Sequence, residues 1–280
     1  MILRGDFFSE VLRTTTNIQF LIPEPNLTPK NGIRFDEETN SSALCPDDKT
    51  YRVVYLLHGL HGNQGTWLDR TMLSVYAKKY NAIFVMPEAG RSFYVNLKYG
   101  RKYQDFMCDE LPNICQRIFN ISSMREDTAV IGCSMGGFGA LRLALSGQQF
   151  GFCGAISPAC LYFKTVLDEI REDTSSLLEK GGEASDILSD LYAIFSEKLE
   201  FRPDFDIPEL AKNFPLSMPK PKIFVTCGTE DDLRKENLDF KDEMQKTDFD
   251  FTYEEWTGGH DWYFFNDALK RTLELWYANA

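Results

Sequence analysis

A serine in a glycine-rich turn is the first feature of the sequence that could do chemistry. Ser134 lies in the run GCSMG at 132–136, after a short apolar stretch at 129–133 and before a stretch of helical periodicity at 135–146. A G-x-S-x-G pattern between a strand and a helix is typical of a sharp turn that exposes the serine hydroxyl above the edge of a sheet. Glycines flank such a bend because side chains there would collide with it. The pattern predicts that Ser134 is a nucleophile; the alternative is a structural glycine turn with an idle serine.

Three histidines are the candidates for the base that this serine needs, because a hydroxyl alone is a poor nucleophile. His58 and His61 follow an early predicted strand, whereas His260 lies between the last predicted strand and the last predicted helix. A histidine on the final loop of the sheet matches the order Ser–Asp–His along the chain. His260 is therefore the predicted general base, with an ordinary loop or capping histidine as the alternative.

An acid that orients this imidazole is expected after the strand that precedes the strand of the histidine. The acidic run Glu-Asp-Asp at 230–232 occupies this place, just beyond Gly228. We expect Asp231 to be the orienting acid, with Asp232 second and Glu230 third. Acidic residues in the first turn of a helix are also favoured by the helix dipole, which is the alternative for at least one of the three.

The run HGLHG at 58–62 is a second glycine-rich turn, and it follows an early predicted strand. Such a turn lets backbone N–H groups face a developing oxyanion, so we expect the amides of Leu60 and Met135 to form that hole. The spacing of His58 and His61 could also suggest a metal pair, but no third cluster of ligands accompanies it. We therefore expect no metal and no cofactor, and a structural role for His58.

Aromatic residues in loops that leave the same ends of the strands are candidates for contact with a substrate. We expect Trp67, Phe93, Tyr94 and Phe138 to line parts of a pocket, although Phe138 could equally belong to the core of a helix. Cys133 precedes the serine in the turn, where the geometry turns a side chain into the protein. We expect it to be a packed neighbour and not a nucleophile.

The elements that must position these residues alternate along the chain. An N-terminal pair of strands, predicted to be antiparallel, is followed by apolar strands and amphipathic helices, which predicts a mostly parallel central sheet with helices on both faces. Such α/β sheets bind ligands at the carboxyl ends of their strands. The predicted strands are 7–13, 16–22, 52–57, 82–86, 129–133, 152–157, 222–227 and 251–256, and the predicted helices 67–80, 103–119, 135–146, 233–246 and 262–277.

Two segments interrupt the alternation within what we predict to be a single α/β domain spanning 1–280. A polar stretch from Pro23 to Asp48 predicts a solvated loop. The stretch from Leu161 to Pro219 shows helical fragments at 165–178 and 184–195 and then several prolines, with no clear strand. This helical insertion is a candidate lid, and a packed excursion without a role in binding is the alternative.

Composition excludes several classes of function. The 280 residues include 30 Lys+Arg and 42 Asp+Glu, a net charge of −12, which disfavours nucleic acids and anionic membranes as partners. No stretch predicts a membrane span or a signal peptide, and the seven cysteines follow no disulfide or zinc spacing, so a cytoplasmic enzyme with reduced thiols is expected. The expected partner is a small molecule.

Taken together, these motifs resemble the esterase D-like family of α/β-hydrolases and are closest to its bacterial tributyrin, acetyl and feruloyl esterase branch. The resemblance implies an α/β-hydrolase fold and a serine carboxylesterase that cleaves esters of short acyl or aryl acids, such as acetylated sugars or feruloyl esters, without a cofactor. It supports Ser134, Asp231 and His260 as a catalytic triad. The resemblance spans nearly the whole chain and rests on VYLLHGLHGN at 54–63, Trp67, the segment 91–112, GCSMGGFG at 132–139, CGTED at 227–231 and GHDW at 259–262.

Three other functions use the same fold and stay open at the level of sequence. A thioesterase of the S-formylglutathione hydrolase type would use the same three residues. An acyltransferase would pass the acyl group to an alcohol other than water. An inactive binding module would bind without turnover, and the complete Ser–Asp–His order argues against it. Relatives are often oligomers, so a homo-oligomer is also an open expectation.

Overall fold

The computed structural model describes residues 1–23, 50–147, 149–180 and 182–278. The predicted polar loop lies outside the described residues apart from Pro23, as does Cys45. The six cysteines within the described residues are free thiols. None of the described helices is long and apolar enough to cross a membrane.

A single eight-stranded sheet forms the centre of the described residues, in the order β1-β2-β4-β3-β5-β6-β7-β8. The pairs β1–β2 and β2–β4 are antiparallel, and all the others are parallel. This architecture confirms the predicted α/β-hydrolase fold. The strands are β1 Ile2–Ser9, β2 Thr14–Leu21, β3 Arg52–Leu57, β4 Ala82–Pro87, β5 Thr128–Cys133, β6 Phe152–Ile156, β7 Lys222–Gly228 and β8 Phe251–Trp256.

Helices cover both faces of this sheet. They are α1 Thr66–Arg70, α2 Leu73–Tyr76, α3 Tyr103–Asp105, α4 Leu111–Ile118, α5 Met135–Ser146, α6 Phe163–Lys180, α7 Gly182–Phe195, α8 Ile207–Lys212, α9 Arg234–Met244 and α10 Trp262–Ala278. Short 3₁₀ turns span Ala77–Lys79, Arg125–Asp127 and Pro203–Phe205, and a π-helical turn spans Phe106–Glu110.

Strand β3 shows how the core is divided. Val53, Tyr55 and Leu57 pack in the hydrophobic cluster that contains α5. Val54 and Leu56 point to the other face of the sheet and pack in the cluster that contains α10. Because side chains alternate across a strand and both faces are covered, the central strands are apolar without interruption. The apolar runs that predicted the strands therefore have a direct physical cause.

Two predicted helices are divided in the structure. The predicted helix 67–80 breaks after Arg70, where the Met72 amide donates to Asn266 Oδ1 of α10 at 2.8 Å instead of continuing the helix. The predicted helix 103–119 contains the π-helical turn just before Pro112, which lies in the first turn of α4. Proline lacks an amide hydrogen and is tolerated there.

Other boundaries shift by a few residues. The strand predicted at 7–13 is β1, Ile2–Ser9, because the chain turns at Arg13, which has a φ of 54°. Helix α8 was not predicted; Asp206 caps its N-terminus by accepting a hydrogen bond from the Glu209 amide.

The segment between β6 and β7 is helical, as predicted, and packs on the core. Buried side chains of α6, α7 and the 3₁₀ turn at 203–205, including Phe163, Leu191, Phe195 and Phe205, belong to the same cluster as α5. That this insertion serves as a lid stays a prediction.

Candidate active site

Ser134 occupies a strained turn between β5 and α5. Its φ of 55° and ψ of −122° lie in a region that residues other than glycine rarely adopt. The turn is held from both sides, because the Ser134 amide donates to the Ile156 carbonyl at 2.9 Å and the Ser134 carbonyl accepts from the amides of Phe138 and Ala159 at 3.1 and 3.3 Å. The surrounding structure therefore imposes a conformation that this segment would not adopt by itself.

The glycines of the motif permit two close backbone contacts. A Cβ at Gly132 would lie 2.1 Å from the carbonyl oxygen of Gly136, and a Cβ at Gly136 would lie 2.3 Å from that of Leu57. Both obstacles are backbone atoms, which a rotamer change cannot remove. The bend can form only because these positions lack side chains.

His260 and Asp231 meet across the loops that follow β8 and β7. Their Nδ1 and Oδ2 atoms are 2.9 Å apart. The loops are brought together by continuation of the β7–β8 pairing, since the Glu230 amide donates to the Gly258 carbonyl at 2.9 Å. The histidine predicted as base and the first-ranked acid are thus hydrogen-bonded partners.

Asp231 is buried and well supplied with hydrogen-bond donors. Burial alone would raise its pKa, but hydrogen bonds from His260, the Leu233 amide and the Ser157 hydroxyl outweigh burial and lower the pKa. The Leu233 amide lies 2.8 Å from Oδ1. The carboxylate therefore stays ionised at neutral pH beside a histidine whose side chain is 35% exposed.

A cavity of about 810 Å³ brings the predicted residues together. Ser134, Asp231 and His260 line it, together with Leu60 and Met135. Met135 is the first residue of α5, where backbone amides have no partner within the helix. Among the hydrogen bonds of the described residues, none uses the Leu60 amide. Both amides are thus available to a ligand of the cavity.

The two histidines of the 58–62 turn have different surroundings. His58 is buried; its Nε2 accepts a hydrogen bond from the Ala89 amide at 3.1 Å, so the proton is on Nδ1, 2.8 Å from the Gly59 carbonyl. Both ring nitrogens hold the turn, which agrees with the expected structural role. His61 is exposed at the cavity and pairs with Glu183 of α7 at 2.9 Å.

Of the four aromatic residues expected in the pocket, the structure places only Phe93 on the wall of this cavity. The prediction is wrong for the other three, because their side chains are buried in the core and do not line the cavity. The Trp67 indole donates to the Leu57 carbonyl at 3.0 Å, and the Tyr94 hydroxyl donates to the His58 carbonyl at 2.9 Å. Phe138 packs edge to face with Phe93 and Phe163.

Cys133 is buried beside the serine, as predicted. Burial raises the pKa of its thiol to about 12, so it is not ionised at neutral pH. A thiol that stays protonated is a poor nucleophile, so Ser134 remains the predicted nucleophile of this turn.

Several residues that line the catalytic cavity were not predicted from the sequence. Leu233, Trp262 and Phe265 lie close in sequence to predicted site residues, and this nearness could have indicated them. Cys160 follows β6, and Ile187 comes from α7 of the insertion. No local pattern marks Ile187, because its position depends on how the insertion packs over the sheet.

Comparison with known proteins agrees with this fold. Residues 34–275 match the Esterase family, described as "Putative esterase". An acetyl esterase of Caldicellulosiruptor saccharolyticus is 28% identical over 275 residues, which cover 98% of this chain and 97% of that protein. The fluorophosphonate-binding serine hydrolase FphF of Staphylococcus aureus superposes with a TM-score of 0.78 at 23% identity, covering 99% of this chain and 98% of that one.

The S-formylglutathione hydrolase FrmB of Staphylococcus aureus superposes with a TM-score of 0.76 at 23% identity, over 99% of this chain and 98% of that one. The family match spans most of the sequence, and the sheet order and the glycine-flanked serine turn agree with it. This chain belongs to the esterase family and is a serine carboxylesterase with an α/β-hydrolase fold.

Proposed function

We propose that this esterase hydrolyses short-chain acyl esters, with Ser134, Asp231 and His260 as its catalytic triad. The observation that carries the proposal is the 2.9 Å contact between His260 Nδ1 and Asp231 Oδ2 in the cavity that Ser134 also lines. A histidine held by a buried carboxylate, in the same cavity as a serine on a strained turn, is the arrangement that can activate a hydroxyl.

In the first half of the reaction, Ser134 Oγ attacks the ester carbonyl carbon while His260 Nε2 takes the hydroxyl proton. Asp231 holds the imidazole through Nδ1 and stabilises its charged form. The Leu60 and Met135 amides donate to the oxyanion of the tetrahedral intermediate; loss of one such donor typically costs about 10²–10³ in turnover. When the carbon–oxygen bond of the ester breaks, His260 returns the proton to the leaving alcohol.

In the second half, water attacks the acyl group on Ser134 while His260 takes a proton from it. Collapse of the second tetrahedral intermediate releases the carboxylic acid, and the proton returns to Ser134 Oγ. Every proton transfer uses the same imidazole, so the mechanism needs no cofactor.

The similarity to an acetyl esterase supports a short acyl group. Apolar side chains that include Leu60, Phe93, Ile187 and Phe265 line the cavity and suit an uncharged acyl or aryl group. Acetyl esters, among them acetylated sugars, are the first class to compare, and feruloyl esters are the second.

Hydrolysis of p-nitrophenyl acetate, butyrate and octanoate tests the proposal. We expect kcat/KM to fall with chain length and Ser134→Ala to lower kcat by at least about 10⁴-fold. Ser123→Ala, at an exposed serine outside the cavity, is the matched control and should leave kcat unchanged. Turnover that survives in Ser134→Ala would reject the triad, and a preference for octanoate would reject the short-chain specificity.

The thioesterase and the acyltransferase are separated by substrate and product. An acyl thioester of glutathione turned over much faster than the matching oxygen ester would identify a thioesterase. An acylated alcohol formed in preference to the free acid would identify a transferase. We expect hydrolysis of oxygen esters, with the free acid as the product.

A further inference from the structure

A second cavity of about 470 Å³ lies between the segment 91–103 and helix α7. Arg91 and Asp190 form part of its wall, and Tyr99, Arg101 and Tyr103 contribute further polar side chains. The proposed mechanism uses none of these residues.

The second cavity adjoins the catalytic one. Ser92 lines the second cavity, and the next residue, Phe93, lines the catalytic cavity. On α7, Glu183 and Ile187 line the catalytic cavity, whereas Asp190 lines the second. These three residues are spaced along one face of the helix, and three residues advance it by about 4.5 Å. A substrate that reaches both cavities would therefore pass Phe93 and this face of α7.

Two arginines line the second cavity, and Arg101 is the one that is accessible to a ligand. Arg91 Nε donates to Asp190 Oδ2 at 2.7 Å, while Arg91 Nη2 is buried and has no hydrogen-bond partner among the described residues. Arg101 is exposed and forms no ion pair within the part of the chain that the structure describes. The charged side chains that line the second cavity are two arginines and one aspartate, so its lining has a net positive charge. The chain as a whole has a net charge of −12.

The catalytic cavity has the opposite character. Asp69, Asp232 and Glu183 line it in addition to Asp231, and Arg70 is its only arginine or lysine among the described residues. An anionic group on a substrate would be repelled there and attracted to the neighbouring arginines.

We propose that the second cavity is a subsite for a carboxylate carried by the leaving group of the ester. This inference rests on the proposed esterase function and names its substrate class. The planar guanidinium of an arginine matches a carboxylate with two parallel hydrogen bonds. Asp190 offsets one of the two positive charges, so a monoanion suits the cavity better than a dianionic phosphate.

The test compares two series of acetate esters as substrates. In one series the leaving group is an ω-hydroxy carboxylic acid with an increasing number of methylene groups, and in the other it is the corresponding ω-hydroxy amide. At the length that spans the two cavities, we expect kcat/KM of the wild type to be roughly tenfold higher for the carboxylate than for the amide. Arg101→Gln should remove most of this preference, because it should lower kcat/KM for the carboxylate much more than for the amide. Because Arg101 is exposed, this variant should fold normally.

Arg117→Gln is the matched control, because Arg117 is exposed on α4 and lines neither cavity. It should keep the full preference for the carboxylate. Equal rates for carboxylate and amide at every length, or a preference that survives Arg101→Gln, would overturn the subsite. If neither series nor p-nitrophenyl acetate is hydrolysed, both this inference and the proposed function fail. Hydrolysis of the neutral esters without a carboxylate preference rejects the subsite alone.

Discussion

At the scale of single residues, the choice among the three neighbouring acids at 230–232 depends on one hydrogen bond. Asp231 is buried against His260, whereas Asp232 is exposed at the same cavity. All three acids stand where a helix dipole would favour them, so sequence can rank them but cannot place their side chains. The structure selects Asp231 because its carboxylate is the one that reaches Nδ1.

Asp231→Asn should lower kcat by about 10⁴-fold, because an amide does not hold the imidazole in the tautomer that accepts a proton at Nε2. The rate of p-nitrophenyl acetate hydrolysis measures this change. Asp232→Asn is the control and should change kcat by no more than a few-fold. A similar loss in both variants would show that the acid at 231 has no special role.

The lowered pKa of Asp231 also predicts a dependence of stability on pH. A carboxylate whose pKa is lower in the folded state stabilises the fold at pH values above its ordinary pKa of about 4. This contribution is lost as the pH falls through the lower, folded-state value. The difference in free energy of unfolding between wild type and Asp231→Asn should therefore be larger at about pH 5 than at about pH 3. Urea unfolding at the two pH values measures it, and a constant difference would contradict the prediction.

At the scale of elements, the strand–turn–helix unit at 128–146 depends on close backbone packing. The same unit could be recognised in the sequence because its signals are local: an apolar strand, a glycine-rich turn and a helix. The break after α1 could not, since Asn266 belongs to a helix at the other end of the chain. Local patterns thus identified most of the elements, and long-range contacts set where some of them end.

Gly136→Ala should destabilise the protein by at least about 2 kcal/mol, because its Cβ would lie 2.3 Å from the Leu57 carbonyl oxygen and the backbone must shift. Gly147→Ala is the control; its Cβ would meet the Leu143 carbonyl oxygen at an ordinary 3.6 Å. We expect that variant to stay within about 0.5 kcal/mol of wild type. Urea unfolding of both variants tests this difference, which equal destabilisation would refute.

At the scale of the whole molecule, a buried arginine joins the insertion between β6 and β7 to helix α5, which packs on the sheet. Arg142 of α5 donates through Nε and Nη2 to the carbonyl and carboxylate of Asp204 at 3.1 and 3.0 Å. Its Nη1 donates to Gln104 Oε1 at 2.6 Å, and its guanidinium lies 4.8 Å from the centre of the Phe205 ring. One side chain therefore connects α5, α3 and the insertion.

Arg142→Lys should lower the free energy of unfolding by about 2 kcal/mol or more, because an ammonium group cannot make these three separate contacts. Arg202→Lys is the control, since Arg202 also binds Asp204 but its side chain is 60% exposed. Exposed pairs contribute at most about 1 kcal/mol, so this variant should change little. A larger effect of Arg202→Lys than of Arg142→Lys would contradict this account of how the insertion is attached.

Sequence alone determined the order of the strands, most of the helices, the turn that carries Ser134, and the pairing of His260 with the first-ranked acid, Asp231. These follow from local periodicity, from glycines where backbone must approach backbone, and from the order of loops along a parallel sheet. The walls of the cavities were decided only by tertiary structure. Trp67, Tyr94 and Phe138 turned out to fill the core, while Ile187 and Asp190 of the insertion line the two cavities. The physical reason is that the side of an element that faces a cavity depends on packing against segments distant in the chain, which no short stretch of sequence records.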